Sequence, residues 1–351
     1  MSRVSYRPLL STKVTLAHGS GGVETEAIVE NLIVKLVPEA LRKVPGGVGL
    51  DVLDDGAAIP VPGGYMVFTV DSYTVNPPFF PGGNIGSLAA SGTINDLLMM
   101  GARPVAALDA IIVEEGFEVA KLREITESLV KTLAENNVAL IGGDFKVLPQ
   151  GQLDKIVVSV AGIGFAKRLI VDTNLRPGDK IIVSGPIAEH GALILALQQG
   201  LEPKGLKSDA KPLTDLMLPL IEEYGDYIHA ARDPTRGGLA MLLNDWARST
   251  GTVIVVDEAE IPVREPVRAY AEMLGVDPLT LASEGVAVLA VDASKAEEVV
   301  ERMHELGYRE ARVIGEVRSH ERHKGIVLLK SVTGGVRILE PPSGEIVPRI
   351  C

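Results

Sequence analysis

Cysteine is almost absent: the 351-residue chain has one, Cys351, and it is the last residue. A single thiol excludes an intramolecular disulfide. With six histidines that show no ligand spacing, it also argues against a zinc site. A prenylation signal is excluded, because that needs three residues after the cysteine. Long apolar runs are missing too. The most apolar stretch, residues 85–113, is interrupted by Asn95, Asp96, Arg103 and Asp109, so no window of about 18 uninterrupted apolar residues predicts a membrane span. The opening MSRVSYRPLL lacks the apolar core of a signal peptide. Positive charge is in deficit: the formal net charge is −12, whereas a phosphate backbone requires clustered Lys and Arg. These absences predict a cytoplasmic protein with no membrane and no nucleic-acid partner.

What is present is ordinary globular composition, 46% hydrophobic and 23% charged. The length predicts two domains. The 37 glycines and 22 prolines are scattered and read as turns. A loop at His18-Gly19-Ser20-Gly21-Gly22 precedes a helical pattern over 23–37. Asp54-Asp55-Gly56 marks a turn before a short strand that ends at Asp71. Residues 85–100 carry helical spacing, stopped by Gly101-Ala102-Arg103-Pro104. A strand over 105–113, an amphipathic helix over 119–136, a strand ending at a Gly142-Gly143-Asp144 loop, and a strand over 156–164 follow. This alternation predicts an α/β domain. Residues 172–179 read as a linker, after which strands and helices begin again through an Asp233-Pro234-Thr235-Arg236-Gly237-Gly238 loop. The predicted organisation is an N-terminal loop and helix (1–45), an α/β domain (46–171), an α+β domain (172–340) and a tail (341–351). Extended, that tail spans on the order of 35 Å.

Four carboxylates, Asp55, Asp71, Asp96 and Asp144, fall at predicted turns, strand ends or a helix end, each with Gly, Ser, Thr or Asn alongside. Oxygen ligands around one sheet suit Mg²⁺, shared with substrate phosphates. For any one of them, a cap or turn former is the ordinary role; together, a shared metal centre accounts for them equally well. The loops at 18–22 and 142–144 offer backbone N–H groups to phosphate, although neither is a P-loop. Thr93 and Asn95 lie beside Asp96 and suit phosphate or metal. Lys146 suits phosphate or a nearby acid, with a solvated lysine as the alternative. Glu284, in Ala282-Ser283-Glu284-Gly285 before an apolar run, is a candidate base or a turn acid.

These segments resemble the HypE family of hydrogenase-maturation carbamoyl dehydratases over nearly the whole chain. The segments are LAHGSGG (16–22), DDGAAIP (54–60), TVDSYTVNPPFFPGGNIG (69–86), SGTINDLLMMGARP (91–104), EEG (114–116), GGDFKV (142–147), DPTRGG (233–238), ASEGV (282–286) and the terminal PRIC. The Gly- and Asp-bearing parts are shared with the wider aminoimidazole-ribonucleotide-synthetase-like (PurM-like) ATP enzymes; FFPGGNIG and PRIC are more specific. The resemblance implies a two-domain PurM-like fold, with the N-terminal domain forming a homodimer and the C-terminal tail mobile. It implies that a carbamoyltransferase, HypF, loads a carbamoyl group onto Cys351. ATP and Mg²⁺ then drive its dehydration to a thiocyanate, whose cyano group passes to a HypC–HypD complex. By the same resemblance, Asp55, Asp71, Asp96 and Asp144 surround ATP and metal, and His18, Gly19, Ser20, Gly21, Gly22, Thr93, Asn95, Gly142, Gly143 and Asp233 border the nucleotide. Cys351, Lys146 and Glu284 become the catalytic candidates, with either of the last two as the base. One departure is Ser91, where relatives often carry cysteine; a lone thiol would avoid misdirected loading. The rival readings are a small-molecule kinase of the same superfamily, such as a thiamine-monophosphate kinase, a selenophosphate synthetase, which would carry a reactive residue near its N-terminus, and a non-catalytic carrier.

Overall fold

The computed structural model describes residues 13–321 and 323–344. Cys351 and residues 345–350 lie outside the described residues. The first helix, α1 (Val23–Ile28), continues into one π-helical turn over Val29–Val34, so the helical pattern read over 23–37 is irregular in its second half. Strands β1 (Ala57–Val61) and β2 (Gly64–Tyr73) form a hairpin, and a small hairpin of β3 (Phe79–Phe80) and β4 (Gly83–Asn84) leads into α2 (Ile85–Met99). Then come β5 (Arg103–Glu114), α3 (Val119–Glu135), β6 (Ala139–Leu148) and β7 (Ile156–Ala166). Their sheet has the order β1-β2-β7-β5-β6, antiparallel except where β6 runs parallel to β5.

Helix α2 is the wall between the two halves. It begins where the Asn84 side chain accepts from the Gly86 and Ser87 N–H groups while Ser87 reciprocates, satisfying donors that a helix start leaves open. Its small residues let neighbours approach on every side. A Cβ on Gly86 would run into the α3 backbone, and one on Gly92 into the Tyr73 hydroxyl. Leu88, Ile94, Leu97 and Leu98 are buried, each contributing about 1.5–3 kcal/mol. A helix apolar all round must be covered on both sides, and α2 packs on β2 and β7 beneath it and on the helix Thr214–Tyr224 of the second half.

The second half contains β8 (Lys180–Val183), α4 (Glu189–Gln198), α5 (Thr214–Tyr224), β9 (Ile228–Arg232), α6 (Gly238–Thr250), β10 (Val253–Asp257), α7 (Glu265–Leu274), β11 (Val288–Val291), α8 (Ala296–Glu305), β12 (Arg312–Arg318), β13 (Ile326–Lys330) and β14 (Val336–Ile338). Its seven-stranded sheet runs β14-β13-β10-β12-β8-β11-β9. In the linker, the Arg176 guanidinium lies 2.6 Å from His229 Nε2 and 3.3 Å from Asp292 Oδ2, while His229 Nδ1 lies 2.8 Å from Asp179. That arginine supplies the cation of an Asp–His–Asp group that would otherwise suit a metal.

The two halves share one apolar core, and one polar residue pins them. Asn95 of α2 accepts the Leu213 N–H at 2.8 Å and donates to the carbonyls of Lys211 (3.1 Å) and Glu284 (3.4 Å). Asn95→Ala strands these buried groups, so urea unfolding is expected to show a loss of about 3 kcal/mol. A loss below about 1 kcal/mol would show that the junction does not depend on this residue.

Candidate active site

Six segments, α2 among them, deliver carboxylates to one junction. Thr69 and Asp71 are two residues apart on β2 and therefore share a face; that face meets α2, where the Thr69 hydroxyl donates to Asp96 at 2.8 Å. The Asp54-Asp55 turn before β1 faces Arg232, the last residue of β9. Arg232 Nε lies 3.3 Å from Asp55 and 2.8 Å from Asp172 of the linker, and its guanidinium also donates to the Leu53 carbonyl at 2.7 Å. Asp233 follows directly and is buried. Glu284, only 1% exposed, precedes β11. Its loop is fixed by the Ser283 N–H to the Pro234 carbonyl and by the Ala188 N–H to Ser283 Oγ.

The glycine loop at the N-terminus closes this junction. Leu16–Gly19 form a 3₁₀ turn, and Gly22 begins α1. Gly21, with φ +80°, packs so tightly on Arg236 that a Cβ would collide with its side chain. Arg236 in turn stands 4.0 Å from Asp71. The last described residues lie on the same helix: the Val23 N–H donates to the Pro342 carbonyl at 3.2 Å, and the Gly344 N–H donates to the Glu24 carboxylate at 3.1 Å. The root of the expected tail, residues 341–344, is thus held in place beside the cluster.

Electrostatics set the character of the site. Burial is the first cause that raises Asp55, Asp96, Asp172 and Glu284 well above the usual carboxylate range and Asp54 and Asp71 above it. Asp233 is pushed up to about 7 by burial and by Asp71. Arg232 is held charged against its own burial by Asp172, Asp55 and Asp54. Asp55 Oδ2, Asp233 Oδ2 and both Glu284 oxygens are recessed with no hydrogen-bond partner among the described residues. Unpartnered buried carboxylate oxygens at this density fit a hard divalent cation, which takes oxygen ligands.

The expected residues divide into two groups. Asp55, Asp71, Asp96, Asp233, Glu284 and Asn95 converge here, Gly21 brings the 18–22 loop against Arg236 while the His18 ring bonds back to Thr15, and Thr93, buried on α2 with a hydroxyl unpartnered among the described residues, lies on the helix of Asn95 and Asp96. Gly142, Gly143, Asp144 and Lys146 do not. They form no loop but sit inside β6, an edge strand, with Asp144 exposed and 2.7 Å from Lys146. Three strand spacings, roughly 14 Å, separate β6 from β2. The register also places Asp144 in line with Ala110, Ser159 and Ser72, on the face opposite Asp71, which lines up with Val160, Asp109 and Gly143. Lys146 holds Asp144 below the usual carboxylate range. Within one chain, then, Asp144 lies outside the acidic cluster. Ser91 is buried in α2 and bonds the Ser87 carbonyl, so a thiol there would be shut away from any loading partner, and the serine is not needed to prevent misdirected loading. Sequence reasoning missed Arg232, Arg236 and Asp172; the signal was an arginine on either side of Asp233 in Arg232-Asp233-Pro234-Thr235-Arg236.

Family models place the chain. The N-terminal domain of AIR synthase related proteins matches residues 53–166, and the C-terminal domain matches 176–328. Fold and site therefore define an AIR synthase related, two-domain protein. Among curated relatives, carbamoyl dehydratase HypE of Azotobacter vinelandii is 40% identical over the full length of both chains, and HypE of Cupriavidus necator is 40% identical over 98% of this chain and 97% of its own. A crystal structure of HypE in complex with ATP superposes with a TM-score of 0.79 at 36% identity, covering 97% of this chain and all of that one. A HypE–HypF complex gives 0.82 at 34% identity, covering 90% of this chain and all of that one. The chain belongs to the HypE carbamoyl dehydratase family. A thiamine monophosphate kinase from Aquifex aeolicus, at 19% identity and a TM-score of 0.58 over 78% of this chain and 90% of its own, shares the fold alone.

Stability should report the buried charge. Asp233 ionises at about 7 when folded and near 3.8 when unfolded. Between those values the folded state holds the extra proton, so stability of the cation-free protein falls as pH rises from about 4 to about 7. Neighbouring carboxyls raised in the same direction add to this slope. Scanning calorimetry is expected to show Mg²⁺ raising Tm at pH 8 and hardly at pH 5. An equal increment at both pH values would exclude the carboxylates as its site.

Proposed function

We propose that this chain dehydrates a carbamoyl group carried on its own Cys351, converting the thiocarboxamide to a thiocyanate with consumption of ATP. One observation carries the reading: the carboxylate cluster with its unpartnered oxygens lies beside the anchored root of the segment that ends in the only cysteine. The overall change balances as loss of one water from the carboxamide, taken up in the cleavage of ATP to ADP and phosphate. The amide oxygen is a poor leaving group and leaves readily once phosphorylated; loss of the N–H protons and then of phosphate completes the C≡N bond. A divalent cation, which we take to be Mg²⁺, would neutralise charge on the transferring phosphoryl group. Asp55, Asp71, Asp96 and Asp233 would hold it. The Gly19–Gly22 segment and Arg236 would border the phosphates. Of the two proton-transfer candidates, Glu284 belongs to the cluster in its own chain, and its raised pKa makes it the stronger base once ionised.

The partners follow from the same reading: HypF loads Cys351, a HypC–HypD complex accepts the cyano group, and the reaction takes place in the cytoplasm. The functional unit is a homodimer. One face of the first sheet carries Phe68, Val70 and Leu108 exposed, with Val70 at 69%. A half-solvated sheet ordinarily alternates apolar and polar residues, so this apolar face calls for a cover. Asp144 and Lys146 stand on the same face, and a second copy docked there brings them towards the other chain's sheet. Their proposed roles at metal and substrate rest on that arrangement.

Intact mass of carbamoylated protein incubated with Mg-ATP should fall by one water in the wild type, while Cys351→Ala takes up no carbamoyl group at all. ATP consumed on a soluble metabolite with the adduct unchanged would favour the kinase reading. Separately, Val70→Glu is expected to convert the dimer to monomer by light scattering; a dimer that survives this change does not use the open face.

A further inference from the structure

The Glu284 carboxylate has no hydrogen-bond partner among the described residues, so its direction comes from its backbone. Five hydrogen bonds hold the loop. The Glu284 carbonyl accepts from the Asn95 side chain and from the Lys211 N–H, each at 3.4 Å. The Ser283 N–H donates to the Pro234 carbonyl, Ser283 Oγ accepts the Ala188 N–H, and the Glu284 N–H donates to Asp209 Oδ1 at 3.2 Å. The same Asp209 oxygen accepts the His190 N–H, also at 3.2 Å, in the first turn of α4. One carboxylate oxygen thus ties the start of a ten-residue helix to the residue proposed as the base. The Asp209 backbone also presses on the loop, since a Cβ on Gly285 would collide with the Asp209 carbonyl. Its second oxygen, Oδ2, is recessed and unpartnered like both Glu284 oxygens. Asp209 adds to the burial that raises Glu284. A simple helix cap needs neither the bridge to Glu284 nor a recessed free oxygen.

We propose that Asp209 is a positioning residue for Glu284: by bridging the Glu284 and His190 amides through Oδ1, it fixes the loop that directs the Glu284 carboxylate at the Cys351-borne carboxamide. This rests on the reading of Glu284 as the base. Among the described residues no hydrogen bond or ion pair joins Asp209 to the residues proposed to hold ATP and metal, so its loss should affect the rate and not nucleotide affinity.

The test follows water loss from carbamoylated full-length protein in single turnover, across ATP concentrations. Asp209→Ala should slow the first-order step by on the order of 30–100-fold, the scale on which a small misplacement of a reacting group is felt. The ATP concentration for half-maximal rate should stay within about twofold of wild type, because the phosphate site is untouched. Asp209→Asn keeps an oxygen that accepts both N–H groups and should remain within about threefold. If the alanine variant fails to fold, Asp209→Ser, with a shorter acceptor, should fall between the two. A wild-type rate for the alanine or serine variant would overturn the proposal, as would an asparagine variant as slow as alanine or a parallel rise in the ATP requirement. Glu284→Gln separates the two claims. If it stays fully active, the base assignment falls and the Asp209 proposal with it; if it is inactive while Asp209→Ala is fully active, only Asp209 is misassigned.

Discussion

Everything at the centre of this molecule answers to an imbalance of buried charge. Asp54, Asp55, Asp71, Asp96, Asp172, Asp233 and Glu284 influence one another across one junction, with Arg232 and Arg236 as the cations that bear on them. Charges withdrawn from water are tolerated only when paired. Arg232 settles the half nearest the linker, where it binds Asp55 and Asp172. Even so, among the described residues unpartnered oxygens remain on both sides, at Asp55 and Asp172 beside Arg232 and at Asp233 and Glu284 beyond it. A fold that spends stability here retains a place for cations and phosphates, which is the compromise expected where activity and stability compete.

Helix α2 makes the compromise possible. Because Gly86 and Gly92 leave room for α3 and Tyr73, the helix is clasped on all sides, and Asn95 and Asp96 face the junction from a rigid support. Sites built on such elements hold geometry better than sites on loops. The consecutive pair divides the work: Asn95 binds the second half of the chain, while Asp96 faces β2 and the metal candidates.

Much of this was legible in the sequence, and the failures have physical causes. Asp55, Asp71 and Asp96 could be found because each sits among small or polar residues next to a periodic segment, and periodicity survives folding. The Gly142-Gly143-Asp144 run misled because glycine pairs ordinarily mark turns, whereas here they lie within an edge strand, Gly143 crowded against Asp109. Whether Asp144 faces α2 or the open side depends on register, and register is a property of the partner strands. Asp209 was invisible, and Arg232 legible only as a charge beside Asp233, for a related reason: what each binds is set by segments tens to well over a hundred residues away.

The anchored root at Pro342 and Gly344 has a consequence for kinetics. Seven residues follow Gly344 in the sequence, and at about 3.3 Å each they reach no further than about 23 Å. A thiol confined to that radius is present at an effective concentration of millimolar or above around its point of attachment. For the reaction proposed on Cys351, reach is then bounded by chain length from a fixed point rather than by the shape of a pocket.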